Sequence, residues 1–232
     1  MKKERFNLKK TFLFIMLAIV AVTGISAQDI FFGNKEGMKL IYANLNNKGK
    51  VDSYSLQVIT KVEGSGNNMT ISYEGQALDK NKKQVGKEPI IVPYTLTVVN
   101  GVLEWDMKSF AAPGTESFIT FEGDKLRLPS NLSPGDKLDD VKFTLTVNMG
   151  IRIRTEITLS EQECLAIEDV TVPAGTYKCY KVTQTSSALV MRRTVVTKTI
   201  TWYALNTGTI KSETYNEKGQ LQSSVALESI DN

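Results

Sequence analysis

The sequence of 232 residues contains no histidine. A Ser-His-Asp triad, a Cys-His dyad, a histidine general base and His-ligated zinc are therefore excluded before any motif is sought. Only two cysteines are present, Cys164 and Cys179, and no Cys-x-x-Cys occurs, which leaves the chain without the usual redox pairing. G-x-S-x-G is missing, and no serine is followed three residues later by lysine, so two common serine-nucleophile patterns are absent. Neither G-x-x-x-x-G-K-[ST] nor G-x-G-x-x-G appears, and there is no calcium loop of the D-x-[DN]-x-[DN]-G type. Nothing in this inventory argues for an enzyme, a cofactor or a metal.

What is present has an ordinary globular composition, 41% hydrophobic and 23% charged. The start of the chain is different in kind. Lys2, Lys3, Arg5, Lys9 and Lys10 precede an apolar run from Phe12 to Val22, and Ile25-Ser26-Ala27 forms a small-residue exit. These are the three regions of a secretory signal, with cleavage expected after Ala27. The apolar run is shorter than the roughly 20 residues that span a bilayer, which argues against a signal anchor. No cysteine near the exit offers a lipid attachment atom, so the expected product is a soluble exported protein, taken here as periplasmic, with no transmembrane anchor.

Without residues 1–27 the chain has 23 basic and 24 acidic side chains, so the basic sequence pI near 8.7 belongs to the signal. Nucleic-acid binding and attraction to anionic lipid are set aside on that ground. An oxidising compartment would permit a Cys164–Cys179 disulfide. A hairpin tip at Pro173-Ala174-Gly175 would put Cys179 opposite roughly Asp169, several residues from Cys164, so the alternative is two small buried residues.

From Met38 onward, short alternating runs are separated by Gly, Asn, Asp and Pro, and no stretch keeps a 3.6-residue period for three turns. The expected strands are 38–45, 51–62, 69–78, 90–99, 102–107, 117–121, 141–147, 151–159, 164–172, 177–185, 189–203, 208–214 and 221–229. Turn chemistry at Asn46-Asn47-Lys48-Gly49, Ser65-Gly66-Asn67-Asn68, Asn100-Gly101 and Asn216-Glu217-Lys218-Gly219 joins them. Connections this short force antiparallel neighbours, since a parallel crossover needs a dozen or more residues. The fold expected is all-β with little helix: an antiparallel meander forming a strongly curved sheet or incomplete barrel, in one domain over residues 28–232. Lys80 to Pro89 reads as a solvated loop, and Leu126 to Asp140, with two prolines and a Pro-Gly turn, as a crossover between two halves of the sheet.

The clearest pattern is Val141, Phe143, Leu145, Val147, Met149, Ile151 and Ile153, resumed by Ile157 and Leu159, against a polar alternate set. A single strand that long would run about 60 Å at 3.3 Å per residue, so a reversal or sharp bend is expected at Asn148-Met149-Gly150. Both arms then show their apolar face to one side. Phe143, Leu145, Val147, Met149 and Ile151, with Trp105 and Trp202, are the candidate lining of a site for a hydrophobic small molecule or lipid. Core packing is the competing role for the aromatic residues.

The carboxylate pairs Asp139-Asp140, Glu161/Glu163 and Glu168-Asp169 read as solvated edges and turns, because adjacent strand residues point to opposite faces. Arg192-Arg193, placed within a long strand, reads as edge charge that blunts pairing. Asn68-Met69-Thr70 and Asn131-Leu132-Ser133 match N-x-[ST], which carries meaning only in a eukaryotic secretory pathway.

The order 128–138 (LPSNLSPGDKL), 171–182 (TVPAGTYKCYKV), then Trp202-Tyr203 with 208–215 (GTIKSETY) and Lys218-Gly219-Gln220-Leu221, resembles the TapB-like proteins. These are similar to a broader family of exported bacterial proteins classed as a domain of unknown function. The resemblance covers roughly Asp29 to Ile230 and is strongest from Leu128 onward. It implies an exported β-rich domain akin to half-open barrels that carry lipids or lipoproteins, and it brings no catalytic residues. The functional expectation is a non-catalytic exported binding protein with an apolar concave sheet face. The alternative is a structural or assembly component of the cell envelope acting through a sheet edge or its surface.

Overall fold

The computed structural model describes residues 29–107, 118–148, 150–190 and 192–231; the expected signal peptide lies outside them. Thirteen strands form in chain order: β1 (Lys39–Asn46), β2 (Val51–Ser65), β3 (Asn68–Leu78), β4 (Ile91–Val99), β5 (Val102–Trp105), β6 (Ile119–Gly123), β7 (Leu126–Pro129), β8 (Val141–Asn148), β9 (Arg152–Val172), β10 (Gly175–Val190), β11 (Arg193–Ala204), β12 (Gly208–Asn216) and β13 (Leu221–Asp231). They make one sheet in the order β6-β8-β9-β10-β11-β12-β13-β1-β2-β3-β4-β5-β7, every pairing antiparallel. The expected all-β, antiparallel, single-domain architecture is what forms, and the sheet does not close.

Local chemistry accounts for the reversals. Asn100 and Gly101 both adopt positive φ (51° and 81°), the backbone that a two-residue hairpin between twisted strands needs. Asn46 and Asn216 build the same turn: each side-chain Oδ1 accepts the backbone N–H groups two and four residues on. Asp79 repeats that pattern towards Asn81 and Lys83, so the start of the expected 80–89 loop is a tight turn of the same design.

Three expectations about elements are corrected. Segments 151–159 and 164–172 are one strand, β9, interrupted by bulges at Glu161 (φ 52°) and next to Leu165. Leu159 and Cys164 are five residues apart, yet their partners Ser186 and Val182 are four apart, so the extra residue moves the inward set from odd to even positions. The broken period made one strand look like two. Second, Leu126–Pro129, read as crossover, is β7. Third, Arg192 sits at the β10–β11 reversal with φ 67°, so the pair is at a turn rather than inside a strand.

The two ends of the strand order meet through the chain itself. β6 pairs with β8 at one edge, and β7 pairs with β5 at the other, with only Asp124 and Lys125 between them. The stretch from Ile119 to Pro129 is thus a strap that changes partner in mid-course. Gly123, at the point of exchange, has φ 136°, and a Cβ there would lie 2.6 Å from the Phe143 Cα and collide with the Lys142 carbonyl oxygen. Glycine is required there both by conformation and by space. Asp124 then locks the fork, its backbone N–H donating to the Lys142 carbonyl (2.9 Å) and its carboxylate accepting from the Lys142 N–H (3.0 Å).

The core is centred on a segment that precedes the first strand. Ile30 and Phe31 are essentially inaccessible and Phe32 is buried. The chain bends at these two residues, and their rings part to opposite sides. Phe31 meets Tyr180 of β10 edge-on with ring centroids 4.8 Å apart and Tyr203 of β11 at 5.9 Å, whereas Phe32 meets Tyr73 of β3 at 4.9 Å and Trp105 of β5 at 6.4 Å. Neighbouring residues therefore join the two halves of the curled sheet. Asn206, in the β11–β12 turn with φ 58°, clasps the segment: its Oδ1 accepts from Ile30 N–H (3.3 Å) and Asn34 Nδ2 (2.9 Å), and its Nδ2 donates to Asp29 (2.7 Å).

Candidate ligand site on the inner sheet face

Trp105, Leu126 and Leu128 from β5 and β7 line one cavity of about 180 Å3 together with Leu159, Val182 and Tyr203 from β9, β10 and β11. These strands lie towards opposite ends of the strand order. They can share a cavity only because the sheet curls round, which defines its inner face. Val141 is the cross-strand partner of Leu159, and below it Phe143, Leu145 and Val147 partner Ile157, Thr155 and Ile153. Residues two apart share a face. The apolar side of the β8–β9 hairpin is therefore inward, with the reversal at 148–152 where the sequence places it.

The expected lining residues divide. Trp105 belongs to the cavity. Phe143, Leu145 and Val147 lie on the inner face and are half-buried, as are Ile153 and Ile157, whereas Val141 and Leu159 at the cavity end are buried. Ile151 is corrected: it stands at the tip of the reversal, 72% exposed. Met149 lies outside the described residues.

Trp202 is also corrected, because it is on the other face. Its partners Lys181 and Lys211 hold their ammonium groups over its ring at 5.2 and 4.9 Å, and its Nε1 donates to Glu168 Oε1 at 2.7 Å. The indole N–H and the two lysines together hold the Glu168 carboxyl below the usual glutamate range. This network of charge and aromatic contact covers a buried indole, only 7% exposed, on the β10–β12 face away from the cavity.

No bridge joins the cysteines. Both thiols are free and fully buried. Cys179 faces Glu168, close to the register expected for it, and Cys164 faces Val182, three positions from Cys179 on the same strand. An odd separation places the two sulfurs on opposite faces of the sheet, a geometry no disulfide spans. Burial pushes the Cys179 thiol up to about 11 and raises that of Cys164, so both stay protonated near neutrality.

Sequence reasoning missed the polar part of the cavity, Gln162, Gln184, Thr199 and Thr201. No period marks them, since the β9 bulge puts Gln162 inward out of phase. It also missed Leu126 and Leu128, whose one-in-two spacing was legible but was overruled by the prolines around them. Outside the cavity, Glu104 of β5 is buried and accepts ion pairs from Lys125 and Arg127, each at 3.0 Å. Next to these lies a second, more polar cleft of about 660 Å3 at the seam, reaching from Val102 and Pro129 to Lys137 and Val141. Among the described residues no group of three or more metal-ligating side chains is assembled, and no helix is long and apolar enough to cross a membrane.

Two solved structures share this architecture. One is a Bacteroides fragilis protein provisionally described as exported, with a YmcC-like fold; it is 24% identical, with a TM-score of 0.70 over 88% of this chain and 100% of that one. The other, from Parabacteroides distasonis, is provisionally described as a lipoprotein and is 20% identical, with a TM-score of 0.71 over 88% of this chain and 99% of that one. No curated protein matches. The DUF3108-like family model matches residues 35–227, from just before β1 into β13 and across both ends of the inner-face site, so the chain belongs to the DUF3108-like family.

Proposed function

We propose that the protein is an exported, non-catalytic binding protein whose inner sheet face receives a hydrophobic ligand such as an acyl chain. The observation that carries this reading is the row Phe143, Leu145, Val147, Ile153 and Ile157, apolar, inward and half-buried, running into the cavity at Leu159, the cross-strand partner of Val141. From Ile153 to Leu159 the row extends about 20 Å along β9. The lumen itself is occupied by Ile30, Phe31 and Phe32, so the ligand lies along the β8–β9 wing rather than through the centre. The export part of the reading rests on the leading basic and apolar segments and on the descriptions given to the two structural relatives.

Each buried methylene contributes about 0.8 kcal/mol, and association costs at least about 4 kcal/mol, so a ten-carbon chain is expected to bind no more tightly than about millimolar, and micromolar binding needs a chain of about fifteen carbons. The test is titration with a solvatochromic apolar probe, paired with native mass spectrometry of a delipidated preparation. Leu145→Asp is expected to abolish uptake while the half-exposed position lets the fold survive. Absence of occupancy by both methods overturns the proposal. In that event the seam supports the assembly reading instead, because β7 is bonded to β5 along one side only and faces an open cleft along the other.

A further inference from the structure

Because neighbouring strands run antiparallel, the hairpin turns fall alternately at the two ends of the sheet. The β1–β2, β3–β4, β8–β9, β10–β11 and β12–β13 turns share one end with the start of β6. At this end lie all the exposed large apolar side chains among the described residues except Val99, Leu165 and Ile167. Ile151, at the β8–β9 tip, is 72% exposed, and Ile90, just before β4, is 68% exposed. Phe118 stands beside the β8–β9 tip, its carbonyl accepting from the Asn148 N–H at 2.7 Å, and Leu189 and Val195 flank the β10–β11 tip. Side chains of this size left in water at the ends of hairpins mark a contact surface when they gather at one end of a molecule.

Charge is divided in the same way. Residues 46–52, 79–91, 150–156, 192–195 and 216–221, which belong to this end, carry eleven lysines and arginines against five aspartates and glutamates. The chain after residue 27 has 23 basic and 24 acidic side chains, so the surplus here is offset by acids elsewhere. Of the five arginines after residue 27, four are at this end: Arg152 and Arg154 on β9, and Arg192 and Arg193 at the β10–β11 tip, all exposed. Arg154 is answered by Glu156 at 3.7 Å and Lys82 by Glu228 of β13 at 2.9 Å, which leaves most of the surplus standing. Net charge argues against attraction to anionic lipid, but a surface responds to the charges within about 8 to 10 Å of it, and here those are basic.

We infer that this end of the sheet docks on an anionic phospholipid surface, with the apolar tips entering the boundary between head groups and acyl chains and the arginines binding phosphate oxygens. Guanidinium suits that role because its planar fork meets two oxygens of a phosphate at once. The apolar residues point to lipid rather than to an acidic protein, since Ile90, Ile151 and Leu189 come from three different turns. A protein interface packs one contiguous core, whereas a fluid lipid surface takes up separate tips flanked by cations. Docking does not depend on the ligand reading above, although the two meet in space. Val147 and Ile153, the outer pair of the inner apolar row, are one position from the β8–β9 reversal, so a docked membrane lies at the outer end of that row.

The test is co-sedimentation of the chain from Gln28 onward, because residues 1–27 are themselves basic and apolar, with vesicles of phosphatidylglycerol and phosphatidylcholine in equal parts and with phosphatidylcholine alone. Binding is expected to the anionic vesicles, with at least tenfold less to the neutral ones. At about fivefold for each basic residue near an anionic surface, Arg192→Gln combined with Arg193→Gln should weaken partition about thirtyfold. Ile151→Ser, which leaves the charge unchanged, should weaken it about tenfold. Lys35→Gln combined with Lys39→Gln makes the same charge change at the opposite end, on exposed side chains, and should alter partition less than twofold. All these positions are exposed, and an unchanged Tm confirms that each variant folds. No binding of the parent to anionic vesicles overturns the proposal, as does an equal loss in the arginine and lysine pairs. Binding to polyglutamate as tight as to vesicles, and indifferent to Ile151→Ser, overturns the lipid assignment in favour of an acidic macromolecule. None of these readouts involves uptake of an apolar probe, so the binding function proposed above stands or falls separately.

Discussion

Phe31→Ala tests whether the segment before β1 is core or cover. Phe31 is 1% exposed and touches both Tyr180 and Tyr203, so the substitution removes a whole ring from a site walled by β10 and β11. Large-to-small changes of this kind cost about 3 to 5 kcal/mol, from lost transfer energy and the cavity that remains. The edge-on contact at 4.8 Å falls within that sum, contributing about 1 kcal/mol of it. We expect a loss near 4 kcal/mol, a large share of the 5 to 15 kcal/mol typical of a domain. For a domain of about 200 residues this lowers Tm by roughly 8 to 16 °C. The assay is urea unfolding followed by tryptophan fluorescence, which reports on the same region because Trp105 contacts the adjacent Phe32. Val195→Ala, 53% exposed, serves as control and should change stability by less than about 0.5 kcal/mol. A loss below about 1 kcal/mol for Phe31→Ala, with an unchanged m-value, would refute the reasoning, because the segment would then be a loosely held lid over a core that is stable without it.

Gly123→Ala forces a positive φ on a residue whose Cβ has no space beside Lys142 and Phe143. A loss of about 3 kcal/mol or more is expected in chemical denaturation, and a neutral result would mean that the strap does not exchange partners at this residue. Asn206→Gly keeps the left-handed backbone and removes the clasp on Asp29, Ile30 and Asn34. At about 0.5 to 1.5 kcal/mol for each of the three bonds the expected loss is roughly 1.5 to 4.5 kcal/mol, with faster amide exchange at Ile30 as its local signature. Both cysteines should resist a thiol reagent at pH 8 in the native protein and give two equivalents on unfolding without reductant; fewer equivalents would reveal a bridge. The raised Cys179 pKa favours the protonated fold. Its contribution is complete below the unfolded thiol value of 9.0 and is lost as pH climbs towards about 11, so stability should fall across that interval. Cys179→Ala should flatten the fall, and an unchanged slope would count against burial as the cause.

Much of the architecture was legible because its determinants are local. Alternation at two residues marks Val141 to Val147 as strand with an inward apolar side, and Asn46, Asn100 and Asn216 carry turn chemistry that acts within four residues. The errors have a common origin in the same locality. A bulge at Glu161 shifts the phase of β9, so periodicity could neither join its two halves nor turn Gln162 inward. The face occupied by Trp202 depends on registers accumulated across β10, β11 and β12, including a bulge at Trp202/Tyr203. The same parity placed the two cysteines back to back.

The amino-acid order alone determined that the chain makes short antiparallel strands with one water-avoiding side, because side-chain alternation and turn propensity are properties of neighbouring residues. Only the tertiary structure decided what meets that side. Whether Phe31 and Phe32 enter the lumen, whether β7 leaves β8 for β5, and whether Gln162 shares a cavity with Trp105 depend on the sheet's curl. That curl sums twist and bulges over thirteen strands and brings together residues more than fifty positions apart.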